Sequence, residues 1–348
     1  MTHNGSLRPR RRGADGWLAP LSVVFLAILA AAILGCTPAG VSHERPAIDP
    51  SVQAVSWERR VEAPETLRNA LAAGRVEMLP VEGRAPIPVR VFGEGGRRTP
   101  VVLSHGLQSH SGWFAQSARH VSGLGHPVYA MDRRGSGLSR GPRGDMKSFR
   151  EMLADIEVVA ETAARRHGAT SVYLLGHCFG AIPAAAFACD YPERVKGLLL
   201  STPAFYTRTS IPFLQAVKIF LTPSGRRDFH VPAPLETEWF SELEAFEGFI
   251  RSDDLALKSA TGDFYYEVHR ARKFLFRNAD RITMPVFMAV AGEDPICDNR
   301  KNLDFFESLP ADDKIVVHYE DARHILEFSP ERDRFLGDLS WWLDREGG

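Results

Sequence analysis

The chain has 348 residues, 44% hydrophobic and 24% charged, with a formal net charge of −1. Those proportions set aside fibrous and disordered classes, and the missing basic excess sets aside nucleic acid as a partner. Four cysteines, none in a CxxC or clustered His/Cys spacing, fit neither a disulfide scaffold nor a structural metal, and nothing in the sequence asks for a cofactor.

The N-terminus carries a basic run, residues 8–12 (RPRRR), then an apolar stretch, 17–35, that ends at Cys36. A positive segment, an apolar segment and a small residue before the break point make the layout of an export signal. The closing "ILGC" looks like a bacterial lipobox, in which Cys36 would carry lipid. The alternative is an uncleaved anchor helix, because the stretch is just long enough to span a bilayer. Under both readings the arginines stay cytoplasmic and the rest of the chain is exported and membrane-tethered. Residues 1–36 are thus read as signal or anchor, and the proline-punctuated residues 37–74 as a tether.

From Arg75 short apolar runs alternate with longer helical patterns. The runs are RVEMLPV, IPVRVF, PVVLSHG, PVYAMD, SVYLLGH, VKGLLLS, MPVFMAV and KIVVHYE. Most of the later ones are nearly continuous in Val, Ile and Leu, as in strands buried on both faces of a parallel sheet. Helices are expected over 148–167 and 330–345. The alternation predicts an α/β doubly wound domain over 75–348. It breaks once, over about 207–282, where a helical and aromatic stretch reads as an inserted cap above the strand ends, the place where such sheets form ligand pockets.

Gly176-His177-Cys178-Phe179-Gly180 matches the G-x-nucleophile-x-G turn between a strand and a helix. At such a helix N-terminus the dipole favours thiolate over thiol at residue 178. In the chain order of these folds, Asp294 (AVAGEDPICD) supplies an acid and His324 (YEDARHILEF) a base, each just past an apolar strand. His105-Gly106 follows another strand, so the backbone N–H groups of Leu107 and Phe179 could form an oxyanion hole.

These residues resemble an α/β-hydrolase of the monoacylglycerol lipase or lysophospholipase group, also grouped with serine aminopeptidases (S33). The resemblance covers roughly residues 75–343 and rests on HGLQSHSGWF, DRRGSGLSRG, LLGHCFGA, GEDPICD and EDARHILEF. It implies the α/β-hydrolase fold, a mostly parallel eight-stranded sheet flanked by helices with an inserted helical cap over an acyl pocket. It implies Cys178, Asp294 and His324 as the triad, Leu107 and Phe179 as oxyanion donors, and His105, Gly106 and His110 as supporting residues of the oxyanion loop. The chain departs from the family at residue 178, where serine is usual, and at Ala181, where a second glycine is usual.

Asp298 is a rival acid, and His318 and His177 are rival bases: the first histidine lies in an alternating strand, and the second is expected to point away from the nucleophile. Asp132 and Arg134 read as loop-fixing residues, Cys189 and Cys297 as small apolar fillers. The aromatic cap residues Trp239, Phe240, Phe246, Phe249, Tyr265 and Tyr266 read mainly as cap core. The expected function is a membrane-tethered ester hydrolase that passes through an acyl-thioester. Cysteine shifts weight toward an acyltransferase using the same intermediate, because thioesters are more receptive to amines and thiols relative to water. A non-catalytic lipoprotein that binds a lipid or partner is the third reading. Acyl length, head group and oligomeric state are not legible.

Overall fold

The computed structural model describes residues 49–347. The basic run, the apolar stretch, Cys36 and the first part of the expected tether lie outside them. Among the described residues no helix is long and apolar enough to cross a membrane.

The described chain starts with two helices, α1 (Pro50–Arg60) and α2 (Glu65–Leu71). Residues 50–71 were expected as tether, and here the structure differs. Ala54, Trp57 and Val61, then Leu67, Ala70 and Leu71, recur at helical spacing and are buried. Pro50 is the first residue of α1 and Pro64 immediately precedes α2, positions where proline starts a helix rather than breaking one. Buried Arg90 donates to Glu58 at 2.6 Å, which ties α1 to the sheet.

The eight apolar runs all become strands: β1 (Arg75–Val81), β2 (Arg84–Phe92), β3 (Val101–Ser104), then helix α3 (Ala115–Gly123) and β4 (Val128–Met131). Next come α4 (Phe149–Arg166), β5 (Val172–His177), α5 (Ala181–Asp190) and β6 (Val195–Ser201). The insertion follows, with α6 (Phe213–Leu221), β7 (His230–Pro232), α7 (Glu244–Ser252), β8 (Ser259–Thr261) and α8 (Gly262–Arg277). The chain returns to the sheet as β9 (Val286–Ala291), α9 (Asn299–Glu307), β10 (Lys314–Tyr319) and α10 (Arg332–Gly347).

The order across the sheet is β1-β2-β4-β3-β5-β6-β9-β10, with β2 antiparallel to both neighbours and every other pairing parallel. This is the α/β-hydrolase fold. β3, β4, β5 and β9 are buried throughout, as strands covered by helices on both faces must be. The expected helix over 148–167 is α4, with the Ser148 hydroxyl accepting from the N–H of Arg150 at 3.2 Å as its N-cap. The insertion is not all helical: β7 and β8 pair as a small antiparallel ribbon.

Candidate active site

Residue 178 stands where β5 turns sharply into α5, and its backbone is left-handed, φ 53°. A side chain in that conformation costs energy and is kept only where the surroundings enforce it. The flanking glycines are part of that enforcement. A β-carbon on Gly176 would lie 2.6 Å from Ala181 Cα, and one on Gly180 would lie 2.6 Å from the His105 carbonyl oxygen. Ala181, where a second glycine is usual, is fully buried as the first residue of α5.

The loops after β9 and β10 bring the acid and base together. His324 Nδ1 lies 2.8 Å from Asp294 Oδ2, both fully buried. Burial works against the Asp294 carboxylate, but His324 and the N–H groups of Ile296 and Cys297 hold it below the usual carboxyl range. Burial also works against a charged ring at His324, yet Asp294 foremost, with the two nearby cysteines, raises the imidazole well above its ordinary value. The rivals fall away by geometry. Asp298 caps α9 by accepting from Lys301 N–H, and His318 is exposed on β10.

His177, expected to point away from Cys178, packs against the base: its ring sits edge-on to His324, with centroids 5.1 Å apart. Burial and the neighbouring His324 depress its basicity strongly, so it is a neutral wall of the site. Cys297 is more than a filler. Its Sγ donates to the Thr202 carbonyl at 3.3 Å and lies 3.9 Å from His324 Nδ1. Burial and Asp294 raise its thiol well above the ordinary value, so it stays protonated. Among the described residues Asp294, Cys297 and His324 are the one cluster with ligand atoms close enough, within 4.8 Å, to share a metal ion. All three are already committed to the hydrogen bonds just described.

His324 Nε2 is buried with no hydrogen-bond partner, so a preformed Cys178–His324 bond is not present. Catalytic hydrogen bonds in unliganded sites commonly tighten only around substrate. The loop after β3, expected to carry the oxyanion donor, lies against Cys178: a β-carbon on Gly106 would be 3.3 Å from Cys178 Cβ. An apolar cavity of about 280 Å³ opens beside Cys178, lined by Leu107, Phe179, Ile182, Phe264, Tyr265 and Val268 among others. Of the cap aromatics, Phe246 and Phe249 are core, Tyr265 faces the cavity, and Phe240 packs edge-on to His324.

His110 supports the loop through a partner that the sequence did not reveal. Its Nε2 bonds Asp253 at 2.9 Å, and the same carboxylate accepts from the indoles of Trp57 at 2.8 Å and Trp113 at 2.6 Å. One cap aspartate therefore joins α1, the oxyanion loop and the insertion. Asp132 fixes the loop after β4 by accepting from the N–H groups of Ser111 and Leu138, and Arg134 pins that loop to α4 through Asp155 at 2.7 Å.

Residues 96–331 match the family model described as Serine aminopeptidase, S33 (Hydrolase_4). The chain belongs to this family. Among curated proteins, this S33 hydrolase is 25% identical to the Monoglyceride lipase of Rattus norvegicus over 260 residues, covering 72% of this chain and 83% of that one. It is 24% identical to the uncharacterized Escherichia coli protein YnbC over 216 residues, 62% of this chain and only 37% of the relative. Among solved structures, the monoacylglycerol lipase of Paleococcus ferrophilus superposes with a TM-score of 0.68 at 24% identity, over 75% of this chain and 99% of that one.

Proposed function

We propose that this hydrolase splits carboxylic esters of medium or long acyl chains, of the monoacylglycerol or lysophospholipid kind, through Cys178, His324 and Asp294. The observation that carries the reading is the strained elbow itself. A thiol is held at φ 53°, beside an apolar cavity, next to a histidine whose far nitrogen is engaged by a buried carboxylate. Lipase relatives, Monoglyceride lipase of rat among them, support the ester class.

Cys178 Sγ attacks the acyl carbonyl carbon while its proton passes to His324 Nε2, and Asp294 stabilises the imidazolium that results. The new oxyanion takes hydrogen bonds from the N–H groups of Leu107 and Phe179. Collapse expels the alcohol, which leaves with the proton from His324, and the acyl group remains as a thioester. Water, deprotonated by the same nitrogen, then releases the fatty acid and restores the thiol. We place the domain on the exported side of a membrane, held through lipid on Cys36 or through the apolar stretch 17–35. A diacylglyceryl mass on Cys36, absent in Cys36→Ala, is the expected sign of the first form; an intact residue 1–36 segment would overturn it.

The thioester also favours a second outcome, acyl transfer. Incubating the chain with p-nitrophenyl esters, with and without glycerol or an amine, separates the readings. Release without acceptor supports hydrolysis, and release that depends on acceptor supports transfer. No turnover and no acyl adduct would defeat both and leave a binding protein.

A further inference from the structure

The loop after β4 places Arg133 behind the loop that follows β3. The side chain is 3% exposed. Its Nη2 donates to the Leu107 carbonyl at 2.6 Å. Its guanidinium carbon lies 5.4 Å from the ring centre of Phe179 and 4.8 Å from that of Phe264. Nε and Nη1 are buried and have no partner, and no carboxylate among the described residues bonds the group. Burial and neighbouring Arg143 push it down to about 9, which leaves it positive at neutral pH. The Asp132 carboxylate nearby favours the charge without bonding it, yet a buried cation with two unpartnered nitrogens is costly, so its position calls for a function.

Three successive carbonyls of the oxyanion loop are each held from behind. Gly106 O accepts from His105 Nδ1 at 2.8 Å, Leu107 O from Arg133, and Gln108 O from the cap N–H of Leu257 at 2.9 Å. Arg133 acts on the first as well. Its backbone N–H donates to His105 Nε2 at 3.2 Å, which fixes the tautomer that carries a proton on Nδ1. Burial and Arg133 hold His105 down at about 3, so the ring is neutral. The Gly106–Leu107 peptide, whose N–H is the expected oxyanion donor, is therefore pinned and polarised at its oxygen.

We infer that Arg133 is a positioning residue for the oxyanion site: its side chain holds the Leu107 carbonyl, its backbone N–H fixes the His105 ring that holds the Gly106 carbonyl, and its charge sits behind both donor residues where negative charge develops. This rests on the thioester reading above. The test compares wild type with Arg133→Met for ester turnover and for inhibition by a long-chain trifluoromethyl ketone. In the inhibitor adduct Cys178 Sγ bonds the carbonyl carbon, its proton moves to His324, and the oxygen becomes an anion in the hole.

The expected result is a fall in kcat of roughly tenfold to a hundredfold, a matching loss of ketone affinity, and a KM within about twofold of wild type. A folded variant with wild-type kcat and ketone affinity, or one changed in KM alone, would overturn the inference. Melting curves check the fold. Should Arg133→Met not fold, Arg133→Gln, which keeps one donor and loses the charge, is read by the same criterion. A wild-type chain inert to both ester and ketone would defeat the thioester reading itself.

Discussion

The strand ends under the cap and the first helix of the cap are built on opposite principles. Around Cys178 the rings of His105, His110 and His324 and three successive loop carbonyls are held by hydrogen bonds, and Cys178, Asp294 and His324 are at most 6% exposed. On α6, Phe213, Leu214, Phe220 and Leu221 are 52–79% exposed, and Ile219 alone is buried. The first region holds its side chains in one geometry, as chemistry requires. The second offers apolar area with little packing to hold it, and residues just before it, Ser210 and Ile211, line the acyl cavity. The reaction is thus specified by hydrogen bonds at the core, whereas access to the cavity lies beside a loosely packed apolar helix.

The contrast breaks most readily at the proposed nucleophile, Cys178. Cys178→Ala, His324→Ala and Asp294→Asn should each lower kcat by about 10⁴-fold or more, read by steady-state turnover, with melting curves to check that each variant folds. Turnover retained in Cys178→Ala would remove the site from the account.

Next in size is the node under the oxyanion loop. Asp253→Ala leaves the indole N–H groups of Trp57 and Trp113 and the ring of His110 without their acceptor. The expected loss is about 4 kcal/mol of unfolding free energy, read by denaturant titration. A loss below about 1 kcal/mol would show that the node is dispensable.

A smaller effect depends on pH. Glu327 is buried, with one oxygen taking the Ser117 hydroxyl and the other unpartnered, and burial raises its carboxyl from 4.5 to about 7. A raised acid favours the folded state in its protonated form. Its contribution is full below about pH 4.5 and is lost as pH climbs through 7. Wild type should therefore lose about 3 kcal/mol across that window relative to Glu327→Gln, which cannot ionise. Parallel stability profiles for the two proteins would contradict this.

The smallest effect belongs to α6. Phe213→Ser with Leu214→Ser should change stability by no more than about 0.5 kcal/mol and leave hydrolysis of a short soluble ester as it was. A drop of several kcal/mol would show that the helix is packed after all, and the contrast with the core would fail.

Much of the fold was legible because strands buried on both faces leave continuous apolar runs, and all eight runs became strands. The turn at Cys178 and the meeting of Asp294 with His324 were legible because glycine spacing and chain order are local signals. What escaped has no local signature. Helices α1 and α2 were hidden by prolines that start them. Asp253 lies 140 residues from Trp113 and 196 from Trp57, so their shared hydrogen bonds exist only in the fold. Arg133 stands beside Arg134 in one loop, and nothing in their letters tells the buried arginine from the one that reaches Asp155. Cys297 looked like a filler because its closeness to His324 depends on how two loops meet.

The most direct test of the account is the mass of the protein quenched during turnover of a long-chain ester. The account predicts one acyl group on the peptide that contains Cys178, released by neutral hydroxylamine as a thioester is and absent from Cys178→Ala. Steady turnover with no acyl group on Cys178, or the same adduct on another residue, would contradict it.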